Sequence, residues 1–151
     1  MVWNNLVNGY LSADDWQDRD SAESSTTFEN GVATVTFLNT ETMVLSYHTM
    51  HSKNYTPCVQ GEKYYASAIL SINDSSRSIG IEFAREQRAE TSPSTLNEWK
   101  RYAYLVTAPT SSQYTYMYVP YMGSGSWAPG AIAKVKSVIM VNVTKMFGAG
   151  N

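Results

Sequence analysis

The feature that most constrains the fold is a two-residue alternation of apolar and polar side chains, which returns in nearly every segment from Val32 onward. A β-strand turns successive side chains to opposite faces, so this alternation is typical of strands with one buried face. Turn-forming residues separate the segments at intervals of about 8–12 residues. No segment of ten or more residues has helical periodicity. The sequence therefore predicts an all-β sandwich of two antiparallel sheets.

Two segments show the alternation most clearly. Residues 28–38 are predicted to form a hairpin, because the Asn30-Gly31 pair tolerates the positive φ angles of a tight turn. Residues 61–71 begin at a glycine turn and continue as a strand. The side chains predicted to face the core are Ala33, Val35 and Phe37 in the first segment, and Tyr64, Ala66, Ala68 and Leu70 in the second.

The remaining segments complete the predicted sandwich. A short strand followed by a turn is expected at residues 4–10, further strands at residues 43–50, 78–85, 99–109, 113–122 and 132–144, and a polar loop at residues 86–97. Residues 138–143 are apolar on both faces, so this stretch is predicted to be buried and to close the sandwich. The glycines that follow Phe147 allow a turn. We therefore expect the Phe147 ring to fold back and plug the base of the sandwich.

Length and charge limit the function. The 151 residues suit one domain, residues 1–151, that can bury a core. The net charge of −2, from 11 basic and 13 acidic residues, gives no indication of nucleic acid as a partner. No apolar run of about 18 residues predicts membrane insertion, and no signal-peptide pattern opens the chain. Cys58 is the only cysteine, which excludes an internal disulfide and fits folding in the cytoplasm.

Several residues could support metal binding, each with a simpler alternative. His48 and His51 are three residues apart, which places them on opposite faces of a strand and argues against a shared metal ion. The acidic segment 14–23 could supply oxygen ligands to a structural calcium ion. It lacks the spacing and the glycine of an EF-hand loop, so a solvated acidic loop is the favoured interpretation. No cofactor is predicted.

Catalytic candidates are equally sparse. Cys58 has no context that would lower the pKa of its thiol, so a small buried side chain is expected there rather than a nucleophile. Glu62 and Glu82 could be nominated as a glycosidase pair, but nothing besides their presence on or beside strands marks them. The sequence predicts a protein that is not an enzyme.

The surplus of aromatic residues is the strongest functional signal. The chain has 11 tyrosines and 4 tryptophans but only 16% charged residues. Sugars present apolar C–H faces that stack on exposed rings, while neighbouring polar side chains hold their hydroxyls. Alternation and loop position nominate six residues as ligand-binding: His48, Tyr65, Glu82, Arg101, Tyr121 and Trp127. For Tyr102, Tyr104 and Tyr116 we favour the alternative that the rings form stabilising cross-strand pairs.

Four short motifs carry a resemblance to a known family. They are the Asn-Leu-Val-Asn-Gly opening at 5–9, Gly61-x-x-Tyr64-x-x-Ser67, Trp99-x-Arg101 and the ending Phe-Gly-Ala-Gly-Asn at 147–151. Together they resemble the β-sandwich modules of phage and prophage tail or minor structural proteins, which are related in fold to carbohydrate-binding modules. The ending is the most specific of the four.

The resemblance implies a jelly-roll β-sandwich without catalytic activity, within a longer phage tail or baseplate protein. Its implied role is adhesion to host cell-surface polysaccharide. It would be made in the bacterial cytoplasm and located in the virion, with other tail proteins and copies of itself as further partners. Family members often have Asp where Asn142 stands, so a cation held there is less expected. The competing class is a structural decoration or oligomerisation module with no sugar ligand; a glycan-cleaving enzyme is a third.

Overall fold

The protein is a sandwich of two five-stranded antiparallel sheets in a computed structural model. The structure describes residues 5–19, 24–38, 49–75, 78–83, 87–113, 115–122 and 128–148. Sheet A has the strand order β1-β4-β9-β6-β7, and sheet B has the order β2-β3-β10-β5-β8. The strands are β1 (Trp16–Asp18), β2 (Ser24–Glu29), β3 (Val32–Phe37), β4 (Met50–Ser52), β5 (Lys63–Ile72), β6 (Ile79–Phe83), β7 (Gln87–Thr91), β8 (Lys100–Thr107), β9 (Tyr118–Met122) and β10 (Ile132–Asn142).

The core lies between the sheets and is built from the inward positions that alternation predicts. The hairpin is confirmed: β2 and β3 pair around Asn30 and Gly31, whose φ angles are 51° and 76°. The predicted inward residues of β3 and β5 are all buried. In β6 the inward set is Ile79, Ile81 and Phe83, each 0% exposed. Burying such apolar side chains is the main favourable term in folding, and it selects the register of every strand.

Strand β10 is the middle strand of sheet B, between β3 and β5. The prediction that residues 138–143 are buried is confirmed for Val138, Met140 and Val141, which are at most 2% exposed, whereas Ile139 and Val143 are only partly buried. The sequence predicts that this strand closes the sandwich, but β10 has a hydrogen-bonded neighbour on each side and so lies in the middle of its sheet. The register between β10 and β5 shifts from Lys136 to Ile139 of β10, and Ser137 between these two residues has a φ angle of 53°. A bulge at this point turns Val138 back toward the core.

Three expectations about individual elements are wrong. Residues 5–10 form no strand, although the Leu6 amide donates to the Met140 carbonyl (2.7 Å). The segment expected to be a loop contains β7, which pairs with β6 and extends sheet A by one strand. Strand β9 begins at Tyr118 rather than at residue 113. The predicted strand at 43–50 falls largely outside the described residues, and β4 begins at Met50.

The end of the described chain also corrects the sequence interpretation. Residues Val143–Phe147 form a short helix, α1, rather than a continuation of the strand. Asn142 caps this helix, because its Oδ1 accepts from the Lys145 amide at 2.9 Å. The helix carries Phe147 away from the core and leaves the ring 45% exposed, so it does not plug the sandwich. Within the described ranges, no helix has the length and apolar character needed to cross a membrane.

Candidate functional site

The outer face of sheet A carries a row of polar and aromatic side chains in direct register. Gln17 of β1 lies opposite His51 of β4, His51 lies opposite Tyr118 of β9, and Tyr118 lies opposite Glu82 of β6. Each of these residues alternates with a core residue, such as Trp16 beside Gln17 and Met50 beside His51. The row therefore crosses four strands on the side of the sheet that faces away from sheet B.

Four rings on this face form a continuous strip, here called the tyrosine strip: Tyr55, Tyr116, His51 and Tyr118. The Tyr55 and Tyr116 ring centroids are 4.6 Å apart, and those of Tyr116 and His51 are 4.4 Å apart. Tyr118 continues the strip at 5.7 Å from His51. Tyr55 is 48% exposed and the two other tyrosines are partly exposed. Contacts of this kind hold the rings in a fixed relative orientation.

His51 is the buried centre of the strip, with 7% of its surface exposed. Its Nδ1 lies 2.7 Å from the Ser52 carbonyl, which can only accept, so Nδ1 carries a proton. Its Nε2 lies 3.3 Å from Nε2 of Gln17, and the neutral ring accepts from that amide. Both nitrogens thus have partners in the neutral form. His51 consequently positions the neighbouring tyrosine rings instead of offering a free base.

The pKa values of two tyrosine hydroxyls in the strip, those of Tyr116 and Tyr118, are raised. The hydrogen bond between the Tyr116 and Tyr55 side chains raises the pKa of Tyr116 to about 12. Burial raises the pKa of Tyr118 above its ordinary value, and the Glu82 carboxylate adds to the shift. A neutral phenol both donates and accepts hydrogen bonds. The strip therefore combines apolar ring faces with uncharged hydrogen-bonding groups.

Six residues were nominated from the sequence, and the four that the structure describes do not come together. Glu82 lies on the face of the tyrosine strip and is 7% exposed. Tyr121 pairs with Gly80 on the same sheet, but only 1% of it is exposed, so it presents no open ring. Tyr65 and Arg101 lie on sheet B, on the opposite outer face, so they cannot form one binding site with Glu82. His48 and Trp127 lie outside the described residues.

Sequence reasoning missed the strip because it treated Tyr116 as a stabilising ring and did not nominate Tyr55 or Tyr118. A signal was present: Met117 and Val119 alternate with Tyr116 and Tyr118. Both apolar residues are 0% exposed, which leaves the tyrosines on the outer side. In contrast, Tyr102 and Tyr104 belong to the inward side of β8, together with Val106.

The catalytic alternatives gain no support from the geometry. The Glu62 carboxylate precedes β5 of sheet B and accepts from Asn142 Nδ2 (2.6 Å) and Tyr64 Oη (3.0 Å). Glu82 lies on sheet A, so the two carboxylates do not flank a common site. Cys58 is buried, as expected, and its thiol lies 3.4 Å from the Thr110 carbonyl.

The described part of segment 14–23 resembles a hydrogen-bonded turn and strand more than an ion site. Asp15 Oδ2 accepts from Asn8 and Ser12, and Asp18 accepts from Ser24 and Thr26. Among the described residues, no group of three or more His, Cys, Asp or Glu side chains is arranged to hold a metal ion.

No protein-family model and no curated protein matches the chain. Solved structures do. The N-terminal cellulose-binding domain of a Cellulomonas fimi β-1,4-glucanase C superposes with a TM-score of 0.60 at 11% identity, over 89% of this chain and 93% of that one. A carbohydrate-binding module of family CBM4 gives 0.58 at 10% identity, over 85% and 95%.

A third structure is the CBM22-1–GH10 part of a Clostridium thermocellum xylanase, complexed with xylohexaose. It gives a TM-score of 0.60 at 15% identity, over 94% of this chain and 29% of that one. At these identities the likeness establishes the fold. The chain has the jelly-roll β-sandwich fold of carbohydrate-binding modules.

Proposed function

We infer that the protein is a carbohydrate-binding module without catalytic activity, and that a polysaccharide lies along the tyrosine strip of sheet A. The observation that carries this inference is the strip itself. The partly exposed rings of Tyr55, Tyr116 and Tyr118 lie side by side across the outer face of the sheet. Superposition on a cellulose-binding domain, and on 29% of a CBM22-1–GH10 xylanase chain whose structure is a complex with xylohexaose, supports the same class of ligand.

The chemistry of the strip fits a neutral sugar chain. Pyranose C–H faces stack on tyrosine rings, and each stacked ring contributes about 0.5–1.5 kcal/mol beyond area burial. The exposed Gln17 side chain borders the row of rings and can exchange hydrogen bonds with sugar hydroxyls. Two or three rings with a few hydrogen bonds correspond to dissociation constants in roughly the micromolar to millimolar range.

We place this module in a phage tail or baseplate, where its ligand is a polysaccharide of the host cell surface. The support is the resemblance of the four motifs, above all the Phe-Gly-Ala-Gly-Asn ending. Weak single sites suit such a location, because several copies on one particle raise the effective affinity through avidity.

Affinity electrophoresis through gels containing soluble neutral polysaccharides, such as xylan or mixed-linkage β-glucan, tests the site. The parent should be retarded by at least one polymer, and Tyr116→Ala or Tyr118→Ala should weaken that binding by about 2- to 12-fold, the equivalent of one stacked ring. Tyr116→Phe should retain most of the binding, because it keeps the ring and removes only the hydroxyl.

Tyr10→Ala is the matched control, since Tyr10 is 62% exposed but lies outside the strands of both sheets, with its ring against Gly31. It should leave the binding of neutral polymers unchanged. Equal loss of binding in Tyr10→Ala, Tyr116→Ala and Tyr118→Ala would locate the sugar elsewhere. Binding of the parent to host cell walls, with the same dependence on Tyr116 and Tyr118, tests the phage-tail context separately.

The competing assembly function has one observation in its favour. Leu105 of β8 is 60% exposed and lies opposite Tyr65 on the outer face of sheet B, at the edge of that sheet. An exposed apolar group at a sheet edge suits contact with a protein partner. Light scattering of the parent and of Leu105→Lys tests this alternative. A structural module would be favoured if the parent formed a stable oligomer that Leu105→Lys dissociates, and if no polysaccharide retarded the parent.

A further inference from the structure

Sheet B concentrates positive charge although the whole chain is slightly acidic. Its five strands contain five basic residues and one acidic residue, Glu29 of β2, in a chain of net charge −2. The basic residues are Lys63, Lys100, Arg101, Lys134 and Lys136. The strands of this sheet therefore carry a net positive charge, although the chain as a whole carries a net negative charge.

Three of the cations share the outer face in adjacent positions. Lys136 of β10 lies opposite Ile69 of β5, and Ile69 lies opposite Arg101 of β8. With strands about 4.8 Å apart, the Lys136 and Arg101 backbones are roughly 10 Å apart across the sheet. Lys134 lies two residues before Lys136 on the same side of β10 and is exposed. Val135, between the two lysines, is 0% exposed and points into the core.

An aromatic ring completes the cluster. The Lys136 ammonium lies 4.1 Å from the centroid of the Trp99 ring, and Trp99 remains 42% exposed. Beside the ring is a shallow depression of about 210 Å³, lined in part by Trp99, Lys134 and the polar residues Ser71, Asn73 and Asn97. The site therefore places a ring, an ammonium group and neutral hydrogen-bonding residues around one concavity.

Arg101 is held in place at the other end of the row. Its Nη1 donates to Ser67 Oγ at 3.0 Å, and the side chain is exposed. This bond uses one of the five N–H groups of the guanidinium fork, whose geometry matches a carboxylate or a phosphate. An oriented guanidinium about two strands away from an ammonium suits a ligand with spaced anionic groups.

We propose that this surface, the basic face formed by Trp99, Arg101, Lys134 and Lys136, is a second binding site that takes an acidic polysaccharide. Trp99 stacks on a sugar ring, and the three cations pair with carboxylate or phosphate groups along the chain. The site is independent of the tyrosine strip, because it lies on the other sheet.

The charge density of the face argues for a sugar polymer over nucleic acid. Duplex DNA carries one charge per about 1.7 Å, and proteins that bind it generally present large basic surfaces. Here three cations are spread over two strand spacings of a chain with pI about 5.6. A polymer with one charge per sugar or fewer matches this spacing.

The test uses the full chain in affinity electrophoresis with three soluble polymers, namely polygalacturonate, a phosphodiester-linked polysaccharide and neutral xylan, and with a DNA oligonucleotide for comparison. The parent should be retarded by at least one acidic polymer at about 0.01 M salt and much less at about 1 M, where the Debye length falls from about 30 to 3 Å. The variant K134A/K136A should bind that polymer about 5- to 30-fold more weakly, and W99A about 2- to 12-fold more weakly.

The matched control is K53A/K145A, which removes the same charge from residues outside this face. It should bind like the parent, and Y118A should leave binding to the acidic polymer intact although it weakens binding to neutral sugars. Retention by only one acidic polymer supports the proposal and identifies the anion.

Four results would overturn the proposal. They are retention by neither acidic polymer, equal losses in K134A/K136A and K53A/K145A, no effect of W99A, and tighter binding to a DNA oligonucleotide than to either acidic polymer. Failure of the tyrosine strip to bind neutral xylan would not affect it.

Discussion

At the scale of single residues, two turn glycines distinguish two costs of replacing glycine by alanine. One is the backbone strain of a positive φ angle, and the other is a clash between the added methyl group and its neighbours. Gly31 and Gly61 both have positive φ, 76° and 82°. A Cβ built on Gly31 would lie 2.6 Å from the Tyr10 ring, whereas one on Gly61 would meet no atom within 4 Å. We expect Gly61→Ala to lower the free energy of unfolding by about 1 kcal/mol, and Gly31→Ala by about 2–3 kcal/mol.

Urea denaturation of both variants measures this difference. The variant Gly31→Ala/Tyr10→Ala serves as the control, because it removes the ring that the new methyl group would meet. Its loss relative to Tyr10→Ala should approach that of Gly61→Ala. Equal losses in the two single glycine variants would show that Tyr10 does not pack on the turn.

Phe147 shows how a single residue can be misjudged from its neighbours in sequence. The buried strand before it and the glycines after it suggested a ring folded into the core, but the intervening helix α1 directs it outward. Phe147→Ala should therefore cost less than about 1 kcal/mol. Phe83→Ala, which removes a ring with 0% exposure, should cost about 3–5 kcal/mol in the same urea titration. Similar losses would mean that Phe147 is buried in solution.

At the scale of elements, alternation predicted the faces of β3 and β5, because each keeps strict two-residue periodicity. It failed where the backbone departs from a regular strand. In β10 the core residues Val135 and Val138 are three apart, so no regular strand can bury both. The bulge at Ser137 resolves the conflict, and this odd spacing was visible in the sequence. Strand β7 was missed because its residues are polar.

The joint between β10 and α1 depends on Asn142, which is 6% exposed. Its Oδ1 caps the helix, and its Nδ2 donates to Glu62 at 2.6 Å, a bond that lowers the pKa of Glu62. Asn142→Ala should lower the free energy of unfolding by about 1–3 kcal/mol, because it removes the cap and the bond. Urea titration at neutral pH, with exposed Lys145→Ala as the control, measures it.

Asn142→Asp gives a sharper test of the same joint. Aspartate keeps the cap but places a second carboxylate against Glu62, so the pKa values of the pair should rise above their unfolded values. The penalty is then present at neutral pH and disappears as pH falls through the raised pKa values. Relative to Asn142→Ala, the Asp variant should gain stability between about pH 7 and pH 4. A difference that stays constant with pH would contradict contact between the two side chains.

At the scale of the whole molecule, sequence patterns predicted the sandwich but not which residues share an outer face. Alternation tells which side of its own strand a residue occupies, but it does not tell which sheet the strand joins. Glu82, Tyr65 and Arg101 were all correctly assigned outward, yet β6 joins sheet A while β5 and β8 join sheet B. Long-range pairing decides this arrangement, and it separates the tyrosine strip from the basic face.

The pairing of strands into two sheets also buries several tyrosines between the sheets. We therefore expect the folded state to lose stability at alkaline pH. Burial raises the pKa of Tyr64 to about 12, and it raises the pKa values of Tyr102 and Tyr104 above 10.0. In the unfolded chain these phenols ionise near pH 10, so between about pH 10 and 12 the unfolded state binds fewer protons than the folded state. Stability should therefore be unaffected by these groups below pH 10 and should fall as pH rises toward 12.

Urea titrations at about pH 8, 10 and 11, with phenolate absorbance recorded in parallel, measure this loss. Tyr104→Phe removes one buried hydroxyl but keeps the ring, so its stability should decline less between pH 10 and 11 than that of the parent. Tyr10→Phe, in which the phenol removed is 62% exposed, should decline like the parent. If ionisation of all tyrosines preceded unfolding, or if Tyr104→Phe and Tyr10→Phe behaved alike, the Tyr104 phenol would not be buried between the two sheets.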